Sequence, residues 1–227
     1  MLKKFLLFIV YTIVTFVIVS VLTVVIYKYV PPPLTPIMII RMIEGVFEGK
    51  AIGIDKDWKP YDEISKNVFR AVISGEDARF MSHDGVDWKA VDQAKHYNEI
   101  HEGVKKRGAS TISMQTAKNA FLWHGRNYVR KAFEVYFTYL IEAIWGKRRI
   151  LEVYVNIIEW GNGIYGIEAA SRAYFGKSAI DLEKSEAALL ASVVPNPRKW
   201  SPASPTPYLL KRQSFIMGRM GSVPIPK

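Results

Sequence analysis

The sequence predicts a mainly helical protein that begins with one membrane-spanning helix. Apolar residues recur with a helical period along most of the chain, and convincing alternating strand patterns are absent. An uncharged run lies near the N-terminus. Hydrophobic residues make up 49% of the 227 residues and charged residues 23%, which excludes disorder for most of the chain. The absence of cysteine excludes a disulfide framework, a cysteine nucleophile and a thiolate metal site.

The uncharged run extends from Phe5 to Tyr27. At about 1.5 Å of rise per residue, a helix of this length crosses a hydrocarbon core about 30 Å thick. Pro31, Pro32 and Pro33 follow soon after it, where a cleaved signal peptide would have a small-residue cleavage site. Lys3 and Lys4 precede the run, which mildly favours a cytoplasmic N-terminus and an external domain.

The rest of the chain is predicted to fold as helices joined by short turns. The periodicity places helices over Ile64–Met81, Val86–Glu102, Thr111–Leu122, Tyr128–Trp145, Arg149–Ile158, Ile164–Phe175, Glu183–Val193 and Pro207–Met220. Gly146 is expected to end the fourth of these as a C-cap. Ala51–Ile54 is the one candidate strand. We expect an anchor over residues 1–30, a membrane-proximal linker or flap over 31–60, the main domain over 61–220 and a tail over 221–227.

Two adjacent carboxylates, Glu76 and Asp77, lie near the end of the first of these helices. Neighbouring helical residues point about 100° apart, so the two are expected to have different roles. Glu76 shares a helical stripe with Phe80 and His83, and partial desolvation there would raise its proton affinity toward that of a general base. Taken alone, however, such a pair more often consists of solvated helix-end charges.

A second cluster runs from Gly108 to Asn119, where a glycine and hydroxyl residues precede a helix. Free backbone N–H groups at such a helix start can bind an anion. The spacing of Thr111, Gln115 and Lys118 lets all three face one cleft. The segment Lys105–Arg149 carries ten basic and two acidic residues, a net +8 of the formal +10. It includes Arg126, Arg130 and Lys131, with Glu134 four residues after Arg130. A capped helix with a solvated basic face is an equal alternative on this evidence alone. The four histidines show no metal-ligand spacing.

Together these motifs resemble those of the family 51 peptidoglycan glycosyltransferases, and most closely the monofunctional, membrane-anchored members. The matching residues occur in family order: Glu76-Asp77-x-x-Phe80-x-x-His83-x-Gly85, Gly108-x-Ser110-Thr111-Ile112-x-x-Gln115-x-x-Lys118-Asn119, Arg130-Lys131-x-x-Glu134, Ile150-Leu151-Glu152-x-Tyr154-x-Asn156 continuing to Lys177, and Glu186-Ala187-Ala188-Leu189-Leu190 with Pro195-x-Pro197. One departure is visible, because Met114 stands where the family usually has a first glutamine.

The resemblance implies an all-α, two-lobed, lysozyme-like domain after the anchor. The implied reaction joins lipid II units into β-1,4 glycan strands with inversion and releases undecaprenyl diphosphate. Glu76 would be the general base, and Lys118 and Arg126 would offset the charge on the diphosphate. Glu134 would either hold the basic cluster in place or bind a divalent cation such as Mg²⁺ or Mn²⁺. The substrate-binding residues would be Ser110, Thr111, Gln115, Lys118, Asn119, Arg126 and Arg130.

The resemblance also sets expectations about cofactors, partners and location. No organic cofactor and no nucleic acid partner is expected. The expected partners are lipid II, the growing glycan strand, the membrane crossed once, and other proteins of cell-wall synthesis. The expected location is the bacterial inner membrane, with the catalytic domain on its outer side. Two rival functions remain, a lysozyme-like hydrolase, which needs no cationic diphosphate site, and a non-enzymatic scaffold of the cell-wall machinery.

Overall fold

The computed structural model describes residues 1–49, 53–101, 106–125 and 127–227. Its helices are α1 (Leu2–Tyr29), α2 (Pro36–Phe47), α3 (Lys66–Glu76), α4 (Trp88–Ile100), α5 (Ile112–Phe121), α6 (Tyr128–Ile157), α7 (Ile167–Phe175), α8 (Lys184–Val193) and α9 (Pro207–Arg219). Its strands are β1 (Asp55–Lys56), β2 (Glu159–Gly161) and β3 (Ile164–Tyr165). The mainly helical architecture is therefore confirmed.

Helix α1 is long and apolar enough to cross a membrane, judged by length and composition. Two of its polar side chains bond back to the helix, since the Thr12 hydroxyl donates to the Phe8 carbonyl and the Thr23 hydroxyl to the Val19 carbonyl. These bonds satisfy polar groups that lipid cannot satisfy. The second half of α1 packs along α6, where the ring of Phe16 contacts the ring of Phe133.

The other helices form two packed groups. Helices α5 and α6 pair extensively, and α2 joins them through α5. Helices α3, α8 and α9 pack on one another as the second group. The core that links the groups contains large side chains with almost no exposure, among them Phe69, Ile112, Tyr154 and Trp160. The space between the end of α3, α5, α6 and the residues after α8 forms the candidate site.

Two predicted helices, Tyr128–Trp145 and Arg149–Ile158, are joined in the structure into α6 with a kink at Gly146. Gly146 has φ 73° and ψ 168°, a conformation that L side chains rarely adopt. The sequence therefore located the interruption correctly, but the chain resumes helical geometry directly after it. The kink lets the first half of α6 follow α1 while the second half enters the core.

The small sheet was not predicted. Strand β3 pairs with β2 in antiparallel fashion and with β1 in parallel fashion. Because β3 occupies Ile164–Tyr165, the predicted helix Ile164–Phe175 begins only at Ile167. The candidate strand Ala51–Ile54 was misplaced: Gly53 and Ile54 are not in a strand, β1 begins at Asp55, and Ala51 and Ile52 lie outside the described residues. Strands of two or three residues are too short to leave an alternating pattern.

Candidate active site

The end of α3 separates the two adjacent carboxylates. The helix ends at Glu76, and Asp77 takes a non-helical backbone with φ −157°. Asp77 turns toward the start of α5, where its Oδ2 accepts from the Ile112 N–H at 3.0 Å, and both of its oxygens lie 3.1 Å from His83 Nε2. Glu76 points elsewhere, to Gln115 and Arg212. The expectation of different roles agrees with this geometry.

The predicted stripe of Glu76, Phe80 and His83 was wrong. Phe80 lies in a short 3₁₀ turn (Phe80–Ser82) after the helix has ended, so the i, i+4, i+7 relation does not exist. His83 packs against Asp77 and near the ring of Phe80, with ring centroids 6.4 Å apart. These residues support the loop behind Glu76 and do not share a face with it.

Thr111 is the N-cap of α5. Its hydroxyl oxygen accepts from the Met114 N–H at 3.1 Å and donates to the Gly85 carbonyl, and its side chain is buried. Its hydroxyl is thus committed to capping the helix and bonding Gly85, so the prediction that it faces one cleft with Gln115 and Lys118 was wrong. Met114 is also buried, and it lines a space beside α4 together with Val91 and Ala94. Met114 therefore places a thioether beside Val91 and Ala94, where the family usually has an amide.

One cavity of about 490 Å³ contains most of the predicted site. Its lining includes Glu76, Ser110, Gln115, Lys118, Trp123, His124, Gly125, Arg130, Glu134, Val194 and Pro195. Asn119 lies in an adjoining cavity of about 450 Å³, which shares Gln115 and Lys118 with the first. The structure thus brings together Glu76, Gln115, Lys118, Arg130 and Glu134. Arg126 lies outside the described residues.

Glu76 is a desolvated carboxylate. Burial raises its pKa above 4.5, and the nearby Asp77 acts in the same direction. The Gln115 amide, which donates to Oε2 at 3.0 Å, and Arg212, which donates to Oε1 at 2.8 Å, limit the rise. A carboxylate with this balance retains affinity for a proton while staying ionisable, which suits a general base.

Lys118 is a desolvated ammonium. Burial lowers its pKa below 10.5; Glu134 opposes this shift, and the cations Arg130 and Lys131 add to it. Among the described residues no acceptor forms a hydrogen bond with Lys118 Nζ. A buried cation without a bonded anion is costly in the free protein and favours an anionic ligand.

Glu134 organises the neighbouring cations. Its side chain is buried, one oxygen accepts from Arg130 Nη1, and the other accepts from Lys131 Nζ at 2.6 Å. Both carboxylate oxygens are thus occupied by basic side chains. Within the described part of the chain, no three His, Asp or Glu side chains come together as a metal site. The residues present do not fit a resident divalent cation.

Two residues that the sequence analysis did not select hold the site together. Arg212 reaches Glu76 from α9, and Tyr154 on α6 donates its hydroxyl to Gln115 Oε1 at 3.2 Å. Tyr154 is one of the residues of the fourth motif, but the resemblance assigned no role to it. Arg212 gave no local signal, because its partner lies on α3, far away in sequence.

The comparisons with known proteins agree with this geometry. A family model described as transglycosylase matches residues 48–221. The chain is 55% identical to the biosynthetic peptidoglycan transglycosylase of Rhodospirillum centenum over 197 residues, which cover 87% of this chain and 82% of that protein. It is 49% identical to proteins of the same name from Bdellovibrio bacteriovorus, over 90% of this chain and 80% of the relative, and from Caulobacter vibrioides, over 89% and 85%. On this match, which spans well over half of its length, the chain belongs to the transglycosylase family.

Proposed function

We propose that this protein is a peptidoglycan glycosyltransferase that joins the disaccharide units of lipid II into β-1,4-linked glycan strands and releases undecaprenyl diphosphate. One observation carries the proposal. A single cavity contains a largely buried carboxylate of raised pKa, Glu76, the Arg130–Glu134 pair, and the ammonium of Lys118, which has no hydrogen-bonded anion among the described residues. A sugar transfer from a diphosphate donor needs both a base and a cationic site.

Glu76 acts on the acceptor sugar. Its carboxylate takes the proton from the 4-hydroxyl while that oxygen forms a bond to the anomeric carbon of the donor. The bond between that carbon and the diphosphate oxygen breaks, and the diphosphate leaves with its electron pair on the opposite face, so the configuration inverts. A positioned base of this kind contributes about 10²- to 10⁴-fold.

The cationic side of the cavity acts on the leaving group. Lys118 faces the developing negative charge, and no anion in the described part of the chain is bonded to it. Glu134 is bonded to Arg130 and Lys131 and fixes Arg130 at the same wall. Charges that are fixed in place before the reaction stabilise a transition state without reorganisation. Because the described residues form no metal cluster, a divalent cation enters this proposal only as an ion carried by the substrate diphosphate.

The contacts of α1 support a membrane-bound substrate. Trp145 donates to the Val24 carbonyl at 2.7 Å, Arg149 donates to the Tyr27 carbonyl at 2.8 Å, and Phe16 packs on Phe133. At about 1.5 Å per residue, Phe16 lies about 20 Å below the end of α1. The start of α6, which carries Arg130 and Glu134, therefore runs beside the apolar part of the anchor.

We infer from these contacts that the diphosphate of a lipid-linked substrate reaches the cavity while its lipid stays in the bilayer. The charge flanking α1 favours a cytoplasmic N-terminus. We propose a single-pass protein of the inner membrane with the catalytic domain on its outer side. Tethering enzyme and substrate to the same surface raises their effective concentration.

The test uses the purified full chain in detergent with labelled lipid II, and the products are sized. We expect long glycan from the wild type and none from Glu76→Gln. A matched control is Glu168→Gln, because Glu168 is fully buried and accepts from the Ala179 N–H at 2.6 Å, away from the cavity. This control lowers stability but leaves polymer formation per folded molecule intact. Polymer from Glu76→Gln at the wild-type rate, or cleavage of added glycan instead of synthesis, would contradict the proposal.

A further inference from the structure

The Gln115 side chain is bonded at both ends of its amide. Its Nε2 donates to Glu76 Oε2 at 3.0 Å, and its Oε1 accepts from the Tyr154 hydroxyl at 3.2 Å. A glutamine amide has a donor end and an acceptor end, and rotation by 180° exchanges them. Only one orientation gives the carboxylate of Glu76 a donor. The reversed orientation would place two oxygens against each other.

The carboxylate of Glu76 only accepts, so it sets which end of the amide is the donor, and the Tyr154 hydroxyl holds the oxygen end in place. Its ring is fully buried on α6, and burial raises the pKa of its hydroxyl well above 10. The negative charges of Glu76 and Asp77 raise it further, against a smaller effect of Arg212. The phenol is therefore protonated wherever the enzyme works, and its hydrogen is available to the oxygen end of the Gln115 amide.

We propose that Tyr154 is a positioning residue for the general base: its hydroxyl fixes the Gln115 amide so that the amide N–H donates to Glu76. This inference rests on the proposed function. It also changes the role implied for Gln115, from a residue that binds substrate to one that holds the base. The charged groups that face Glu76 are Asp77, Arg212 and Lys118. Tyr154 differs from these three because it acts through Gln115.

The consequence concerns the proton affinity of Glu76. Donation by the Gln115 amide stabilises the ionised carboxylate and opposes the effect of burial. Without the Tyr154 hydroxyl, the oxygen end of the Gln115 amide loses its tether, so the amide N–H is held less well against Glu76 and the donation weakens. The Tyr154→Phe variant keeps the ring and removes only the hydroxyl. We expect the titration of Glu76 to move upward by about half a pH unit, the scale of one neutral hydrogen bond.

The experiment follows the Glu76 carboxyl carbon by NMR in the full chain in detergent, with ¹³C-labelled glutamate and with Glu76→Gln as the assignment control. The pH dependence of lipid II polymerisation is measured on the same samples. The matched control is Tyr61→Phe, because Tyr61 is also buried and donates to the Pro226 carbonyl at 2.8 Å, away from the cavity. We expect the titration and the acid limb of activity to shift in Tyr154→Phe and to stay in place in Tyr61→Phe.

A double substitution separates positioning from packing. Gln115→Leu removes the amide, so it should raise the titration of Glu76 by itself, and adding Tyr154→Phe should produce no further shift. An unmoved titration in Tyr154→Phe or in Gln115→Leu overturns the inference, as does a Tyr154→Phe shift that persists in the Gln115→Leu background. The NMR readout does not depend on activity. Failure of the wild type to polymerise lipid II would therefore refute the proposed function and leave this test intact.

Discussion

Replacing Lys118 with methionine tests the site most directly, because the change keeps the length of the side chain and removes its charge. Lys118 is partly buried on α5 and, within the described part of the chain, forms no hydrogen bond through its ammonium. Lys147 offers a matched comparison. It is also partly buried, but it donates to Glu142 Oε1 and to the His83 carbonyl, both at 2.6 Å.

The two substitutions should change stability in opposite directions. Burial lowers the pKa of Lys118, so its protonated form is favoured in the unfolded chain. This cost is fully present at pH values below the lowered pKa of the folded protein and disappears as the pH rises through 10.5, the pKa of the unfolded group. We expect Lys118→Met to unfold at the same temperature as the wild type or a higher one. Lys147→Met leaves Glu142 buried without its cation and should cost about 3 kcal/mol.

Activity should show the reverse order. Lys118→Met removes the positive charge that faces the developing diphosphate. The lost stabilisation of the transition state is about 2.7 kcal/mol, which corresponds to a fall in kcat/KM of about 10²-fold. Lys147→Met should retain kcat/KM at a temperature where it is folded. The assays are thermal unfolding at pH 7 to 8 and consumption of labelled lipid II. A Lys118→Met variant that is destabilised like Lys147→Met, or that polymerises at a near wild-type rate, would refute the reasoning.

Two further predictions concern Glu134 and Gly85. Glu134→Gln leaves Arg130 and Lys131 with one neutral acceptor in place of a carboxylate. We therefore expect severely impaired polymerisation at any concentration of divalent cation. Normal turnover of lipid II by this variant would show that Glu134 has no role in the reaction. Gly85 has φ +94°, and an added Cβ would lie 2.6 Å from Thr138 Cγ2. Gly85→Ala should therefore lower the free energy of unfolding by about 1–3 kcal/mol, measured by denaturant titration, and an unchanged midpoint would contradict this packing.

The sequence predicted the features that depend on local chemistry. Helical periodicity located the helices after α2 to within a few residues, and the uncharged run Phe5–Tyr27 located α1. Thr111 was correctly expected near a helix start, and Gly146 near an interruption. These signals are local because a cap, a left-handed glycine or an apolar stripe is determined by neighbouring residues.

The features that the sequence did not predict depend on distant partners. Helix α2 lies in the segment 31–60, which was expected to be a membrane-proximal linker or flap, and it is fixed by contacts such as the bond from Arg41 to Asn162 Oδ1 at 3.0 Å. The pairing of Arg212 with Glu76 joins α9 to α3. The direction of the Glu76 side chain depends on the residue at which α3 ends. The sequence did not predict this direction, because periodicity cannot locate a helix end to one residue.

The pairing of charges in the cavity explains why residues of the same type have different tasks. Arg130 and Lys131 are both bonded to Glu134, so one carboxylate balances one of their two positive charges and fixes both side chains in place. Lys118 lacks such a bonded anion within the described residues, so the substrate diphosphate is the anion that can relieve its cost. Glu76 likewise differs from Asp77, whose oxygens contact His83 and accept from the start of α5. Glu76 lines the cavity and Asp77 does not, so position decides which of the two carboxylates can act on the substrate.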